Sequence, residues 1–160
     1  MRNSKMKGFT LIELIVVIAI IGVLAAILVP SMIGYVGDSK LSTANSNAKL
    51  AYTNTATYAT KCETAGYPMP SSVCLSQASL QRSSGDSETV SAPTSQPTNS
   101  DLHNALKALM GSESASAGVA SVQLTAAGSP QKTSWAKTSL DAYVGNYPKE
   151  STAKNAGWLA

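Results

Sequence analysis

The sequence has few of the residues on which enzymes and metal sites depend. Its 160 residues include one histidine, His103, one phenylalanine and only two cysteines. A lone histidine provides no recognisable set of nucleophile, base and orienting group, and it cannot complete the four-ligand shell that zinc prefers in proteins. A glycine-rich phosphate-binding loop is also missing. We therefore predict no catalytic residues, no cofactor and no metal site.

Polar residues are nearly absent from a long stretch close to the amino terminus. In residues 9–29 only Thr10 and Glu13 carry polar side chains, and a helix of that length spans the roughly 30 Å core of a bilayer. The preceding residues 1–8 are basic and contain no acidic residue, which favours their retention on the cytoplasmic side. A cleaved secretory signal usually has a shorter apolar region and small residues after it. The pattern therefore favours a membrane anchor with the rest of the chain outside.

Glu13 is the unusual residue of this apolar stretch. A charge inside a bilayer costs about 2.5–3.5 kcal/mol even on the lenient insertion scale, and no Lys, Arg or His lies within residues 9–29. Cleavage after Gly8 would create an α-amine on Phe9, one helical turn from Glu13. The amine could pair with Glu13 of the same chain or of a neighbouring subunit. Alternatively, Glu13 reaches the interface from near the helix end.

Residues 7–30, KGFTLIELIVVIAIIGVLAAILVP, closely resemble the amino-terminal motif of type IV pilins and pseudopilins. The resemblance implies that a prepilin peptidase cuts between Gly8 and Phe9 and then N-methylates Phe9. It implies that Glu13 supports subunit assembly by pairing with the amine of another subunit. Gly22 and Pro30 match the positions at which family members carry helix-weakening residues.

The same resemblance implies a domain organisation and a set of partners. Residues 1–8 are the leader, residues 9–30 form the transmembrane and filament-core half of the first helix, and residues 31–160 form the exported head. The expected fold class is α+β, with a long protruding N-terminal helix packed against a small antiparallel β-sheet head. The expected assembly is a helical homo-oligomer that depends on prepilin peptidase, an assembly platform and an ATPase. The subunit would move from the inner membrane to an extracellular pilus.

The net charge gives no indication of a nucleic-acid partner. The chain has a formal charge of +3, and the leader accounts for all of it through Arg2, Lys5 and Lys7. The mature chain would be formally neutral, and no basic patch stands out in its sequence after residue 8.

Periodicity and turn residues predict the elements of the head. The first helix is expected to continue past Pro30, with a buried stripe of small residues. A second, amphipathic helix is predicted in SDLHNALKALMG, and residues 82–100 are predicted to form a surface loop. Strands are expected within GVASVQLTAAG, where Ala120, Val122 and Leu124 alternate with polar residues, around Trp135 and near residues 140–144. The predicted stripe consists of Leu41, Ala44, Ala48, Ala51, Thr55 and Tyr58. In the second helix, Leu102, Leu106 and Leu109 are expected to be buried, with Asn99 or Ser100 as the N-cap and Gly111 at the end.

Cys62 and Cys74 lie 12 positions apart around a turn-rich segment. In an exported protein such a pair most often forms a disulfide, which would stabilise the fold by roughly 3 kcal/mol in the chain-entropy model. Two free thiols are the alternative.

Three classes of function remain open at this stage. The favoured one is a pilin of a pilus for adhesion, motility or DNA uptake, and its close competitor is a pseudopilin of a type II secretion-like system. Major pseudopilins resemble a shorter pattern with a calcium-binding acidic loop, for which this chain offers only Asp141 and Glu150. The second class is a membrane-tethered ligand-binding module, which a minor pilin would combine with the first. The third is an anchored hydrolase.

Overall fold

A computed structural model describes residues 8–114 and 117–159. Its first element is a helix, α1, at Leu11–Thr64, which includes Pro30. The chain divides into two compact units, one ending at Asp38 and the other starting at Ser39. Most of the predicted leader lies outside the described residues. The predicted continuation of the helix past Pro30 is confirmed.

Within the second unit, α1 buries a stripe of small side chains, as predicted. Ala48, Ala51 and Thr55 are fully buried, and Tyr58 is nearly so. Leu41 is only half-buried. Small residues allow backbones of neighbouring elements to approach the helix closely, and the hydroxyl of Thr133 donates to the carbonyl of Ala48 at 2.7 Å. The stripe therefore serves the core of this unit.

Four antiparallel strands form one sheet in chain order. They are β1 at Leu75–Ser79, β2 at Val119–Leu124, β3 at Pro130–Ala136 and β4 at Gly145–Tyr147. β2 and β3 lie where the sequence predicts them. The third predicted strand is wrong in position, because Leu140 is 95% exposed and β4 begins only at Gly145. β1 was not predicted, because its mixed polar residues give no clear alternation. The α+β fold class is confirmed.

The second helix, α2, occupies Asn99–Met110. Its N-cap is Thr98 and not Asn99 or Ser100, because Thr98 and Asp101 form a capping box in which each side chain accepts from the other's backbone N–H. Leu102 and Leu106 are fully buried as predicted. Leu109 is not buried, since it is 38% exposed. Gly111 follows the helix end, as expected.

A buried polar network joins α1, the sheet and the chain after β4. The side chain of Asn45 donates to the carbonyl of Ser151 at 2.9 Å and accepts from the backbone N–H groups of Asn146 and Ser151. The Asn146 amide donates to the Ser151 hydroxyl at 2.8 Å and to the carbonyl of Gly157 at 2.9 Å. Ser134 donates to Asn146 and accepts from the Leu159 N–H. Because buried polar groups are costly when unpaired, this network fixes the irregular tail on the sheet.

Candidate functional site in the amino-terminal segment

The predicted processing point lies just before α1 and is fully accessible. Gly8 and Phe9 belong to no helix or strand and are exposed, Phe9 at 88%. A side chain added at Gly8 would meet no atom within 4 Å. The peptide bond between these residues is therefore open to an enzyme, as a cleavage site requires. The positions of cleavage and of N-methylation stay predictions.

Thr10 and Glu13 form a second capping box, at the start of α1. The backbone N–H and the hydroxyl of Thr10 donate to Glu13 Oε2 at 2.8 Å and 2.7 Å. The Glu13 N–H in turn donates to Thr10 Oγ1 at 3.3 Å. This reciprocal pattern satisfies two donors that a helix start leaves free. Glu13 thus has a contact within its own chain, and its carboxylate lies at the accessible end of the helix.

The capping role of Thr10 was not predicted, although the sequence contains its signal. The letters TLIE fit the S/T-x-x-E/Q pattern of a capping box directly before an apolar run. The contact of Glu13 with a terminal amine, in its own or another subunit, is not tested by this arrangement and stays a prediction.

The first half of α1 exposes a continuous apolar surface. Among the described residues, α1 is the one helix that is long and apolar enough to cross a membrane. The most apolar 18 residues of this helix have no buried side chain. Soluble monomers rarely expose apolar patches above a few hundred Å². Gly22 has open space around it, and Pro30 lies inside the helix. The segment therefore requires a water-excluding environment, either a membrane or other apolar helices.

Comparison with known proteins identifies the segment. Residues 3–29 match the family model for the prokaryotic N-terminal methylation motif. The type IV major pilin protein PilA of Myxococcus xanthus is 53% identical over 51 residues, which are 32% of this chain and 23% of that protein. The fimbrial protein EcpC of Eikenella corrodens is 57% identical over 44 residues, or 28% of this chain and 29% of that protein. The amino-terminal segment of the chain thus matches the methylation motif and is similar to the segments of these pilin and fimbrial proteins.

The likeness to these relatives covers only part of each protein. The type IV major fimbrial protein FimA of Dichelobacter nodosus is 55% identical over 40 residues, 25% of this chain and 26% of FimA. The chain thus spans about a quarter of the length of the curated relatives it matches. No solved structure matches it significantly. The unit that starts at Ser39, here the head, must be interpreted from its own residues.

The two cysteines of the head are free thiols in the structure, in contrast to the predicted disulfide. Cys62 is fully buried on the inner face of α1, where burial raises the pKa of its thiol. Cys74 is exposed before β1, and its N–H donates to Asn99 Oδ1 at 3.0 Å. The expected pairing fails here because one side chain points into the core and the other lies at the surface.

The two acidic residues of the predicted C-terminal region do not form a calcium-binding loop in the described part of the chain. Asp141 Oδ1 accepts from the N–H of Tyr143 at 3.0 Å, and Glu150 is exposed. Among the residues that the structure describes, no three His, Cys, Asp or Glu side chains are grouped so that they could hold a metal ion. His103 Nε2 lies 2.5 Å from the carbonyl oxygen of Ser79, and this contact links α2 to the end of β1.

Proposed function

We propose that the chain is the structural subunit, or pilin, of a type IV pilus. The observation that carries this proposal is the exposed apolar half of α1, which has a pilin-type sequence and precedes a separate compact unit. In a membrane this half would be covered by lipid, and in a filament it would be covered by the same segments of other subunits. Adhesion, motility and DNA uptake are the roles open to such a pilus.

The proposed maturation follows from the accessible start of α1. Prepilin peptidase cuts between Gly8 and Phe9, removes residues 1–8 and methylates the Phe9 amine. The precursor crosses the inner membrane once through residues 9–30, with its basic leader inside and residues 31–160 outside. An assembly platform and its ATPase then draw the subunit into a helical filament. Gly22 and Pro30 reduce helix propensity in the segment that must repack during this transfer.

Glu13 is proposed to hold the register between subunits. In the single chain the Glu13 carboxylate accepts hydrogen bonds from Thr10. In the filament it would exchange them for a pair with the amine of another subunit, because a cationic donor forms a stronger hydrogen bond than a neutral one. The role is structural and not catalytic. The alternatives are a pseudopilin and a minor pilin that binds a surface ligand, and the absence of grouped acidic ligands in the described head favours the pilin.

Intact mass and amino-terminal fragmentation of the protein isolated from cells test the proposal, together with electron microscopy of sheared filaments. We expect a chain that begins with N-methyl-Phe9 and filaments that contain it. Glu13→Ala and Glu13→Gln should abolish or strongly reduce filaments while processing continues, whereas the exposed control Glu150→Ala should assemble normally. A chain that still begins at Met1, or unaffected assembly of Glu13→Ala, would contradict the proposal.

A further inference from the structure

A cavity of about 450 Å³ lies between α2, Tyr58 of α1 and residues 85–95 of the loop that precedes α2. We call it the loop cavity. Tyr58 and Ala105 form the buried part of its wall, at 3% and 4% exposure, whereas most of its loop residues are exposed. Sites for small molecules have volumes of roughly 300–1,000 Å³, so a compact ligand would fit. The proposed pilin function makes no use of this cavity.

Two contacts hold the loop to the two helices beside the cavity. Lys107 of α2 pairs with Asp86 at 2.6 Å, and Lys61 of α1 donates to the carbonyl of Val90 at 3.0 Å. Pro93 fixes one backbone dihedral in the same wall. A loop that is held in this way keeps its polar groups in place before a ligand arrives, which reduces the cost of ordering them on binding.

The wall of the loop cavity contains polar groups without a partner. Asp101 Oδ2 accepts from the N–H and the hydroxyl of Thr98, but Oδ1 accepts from no described residue. The side-chain amide of Asn104 and three loop hydroxyls also form no hydrogen bond within the described part of the chain. These hydroxyls belong to Ser91, Thr94 and Ser95. The wall therefore offers both donors and acceptors to a ligand.

The charges around the loop cavity balance, which determines the class of ligand. Three carboxylates lie in the wall or beside it, and so do three cations. An ionic ligand would therefore meet no excess of opposite charge. An apolar ligand would remove the free polar groups from water without replacing their hydrogen bonds, which is costly. The carboxylates are Asp86, Glu88 and Asp101, and the cations are Lys61, Arg82 and Lys107.

We infer that the loop cavity binds a small neutral molecule with several hydroxyl groups, of the size of a monosaccharide. Ligand hydroxyls would donate to Asp101 Oδ1, and a charged acceptor strengthens such a hydrogen bond. Other ligand oxygens would accept from the Asn104 amide and from the serine hydroxyls. The inference goes beyond the proposed function, and it does not depend on whether the chain assembles into filaments.

Ligand titration of the full chain, in a detergent without a sugar headgroup, tests the inference. The probes are D-glucose, D-galactose and N-acetyl-D-glucosamine, and saturation-transfer NMR of each sugar gives its Kd. We expect at least one sugar to bind with a Kd of about 1 mM, as suits a ligand of about a dozen heavy atoms. Asn104→Ala, and Ser91→Ala with Ser95→Ala, should each raise that Kd about fivefold through lost hydrogen bonds.

Ser84→Ala with Ser100→Ala is the matched control. It also removes one loop hydroxyl and a second hydroxyl, but both residues are exposed and lie outside the cavity wall. This pair should keep the wild-type Kd, and melting curves should be alike for all variants, because every changed side chain is exposed.

Three results would overturn the inference. They are the absence of binding by all three sugars, equal Kd values for the cavity variants and the control pair, and binding of tetramethylammonium or inorganic phosphate in place of a sugar. None of them bears on processing or filament formation, so the proposed function would remain intact. A chain that binds a sugar at this site but forms no filaments would leave the inference in place and contradict the proposed function.

Discussion

At the residue scale, Thr10 gives the start of α1 a stability that Glu13 alone could not supply. Thr10→Val removes the hydroxyl that bonds Glu13 and accepts from its N–H. Loss of an N-cap costs about 1 kcal/mol, so amide hydrogen exchange at Glu13 should accelerate about fivefold in detergent-solubilised protein. Thr10→Ser keeps the hydroxyl and should exchange at the wild-type rate. Equal exchange in the valine variant would show that the capping box does not hold the helix start.

The two thiols should differ sharply in reactivity, because the thiolate is the reacting form and burial disfavours it. Burial raises the pKa of Cys62 and also shields it, whereas Cys74 is exposed. Under native conditions a maleimide should add once, at Cys74, and a second addition should require unfolding. Peptide mapping by mass spectrometry locates the label. A chain that takes no label until it is reduced would instead contain the disulfide expected from the sequence.

Single residues also show the limit of sequence analysis at the candidate site. Roles for Gly8, Phe9 and Glu13 could be proposed because the motif that suggests them is local in the sequence, and these roles stay predictions. The capping role of Thr10 was equally local and could have been predicted. The buried contact of Asn45 with Ser151 could not be predicted, because these residues are more than a hundred positions apart.

At the element scale, the capping box of α2 should make the head sensitive to acid. The hydrogen bonds from Thr98 lower the pKa of Asp101, and the hydrogen bond from Lys107 lowers that of Asp86. The unfolded chain therefore binds these protons more tightly, so the stabilisation is complete above the ordinary Asp pKa near 3.9 and is lost as the pH falls below it. Melting temperatures of the detergent-solubilised chain should drop over that range. Asp101→Asn should flatten the drop, and an unchanged pH profile would contradict this account.

The packing of β4 on α1 depends on the absence of a side chain at Gly145. A Cβ at this position would collide with the backbone of Ala44 and Asn45. Gly145→Ala should therefore destabilise the head by about 1–3 kcal/mol, as overpacking usually does, and should expose the tail to proteolysis. Gly157→Ala is the control, since a Cβ there meets no atom within 4 Å. Equal denaturation midpoints for the two variants would refute the close-packing argument.

The elements that could be predicted are those with a strong local pattern. The long apolar helix, the small-residue stripe of α1 and the alternation of β2 all depend on periodicity within one segment. β4 has only three residues, Gly145–Tyr147, and it exists because Gly145 permits contact with α1 and Asn146 pairs with Asn45. Such tertiary contacts leave no periodic signal. β1 likewise has an irregular register with β2 between Leu75 and Ala78, which interrupts the alternation expected of a strand.

At the scale of the whole molecule, the two compact units should differ in what they need from their surroundings. The unit that starts at Ser39 contains the buried core, the sheet and the polar network, whereas the preceding unit exposes its apolar side chains. A chain that begins at Ser39 should therefore be soluble without detergent, monomeric by light scattering, and cooperative in thermal unfolding.

A chain that includes the apolar segment should behave differently, because burial of that segment is the driving force for both membrane insertion and association. It should require detergent and should associate when the detergent is removed. Replacing Ile15 and Ile18 by Ser, both about half exposed on α1, should weaken that association while the melting temperature of the head remains unchanged. If the fragment from Ser39 aggregated or failed to unfold cooperatively, the head would depend on the amino-terminal segment for its fold. The separation of an assembling segment from an independently stable head would then be wrong.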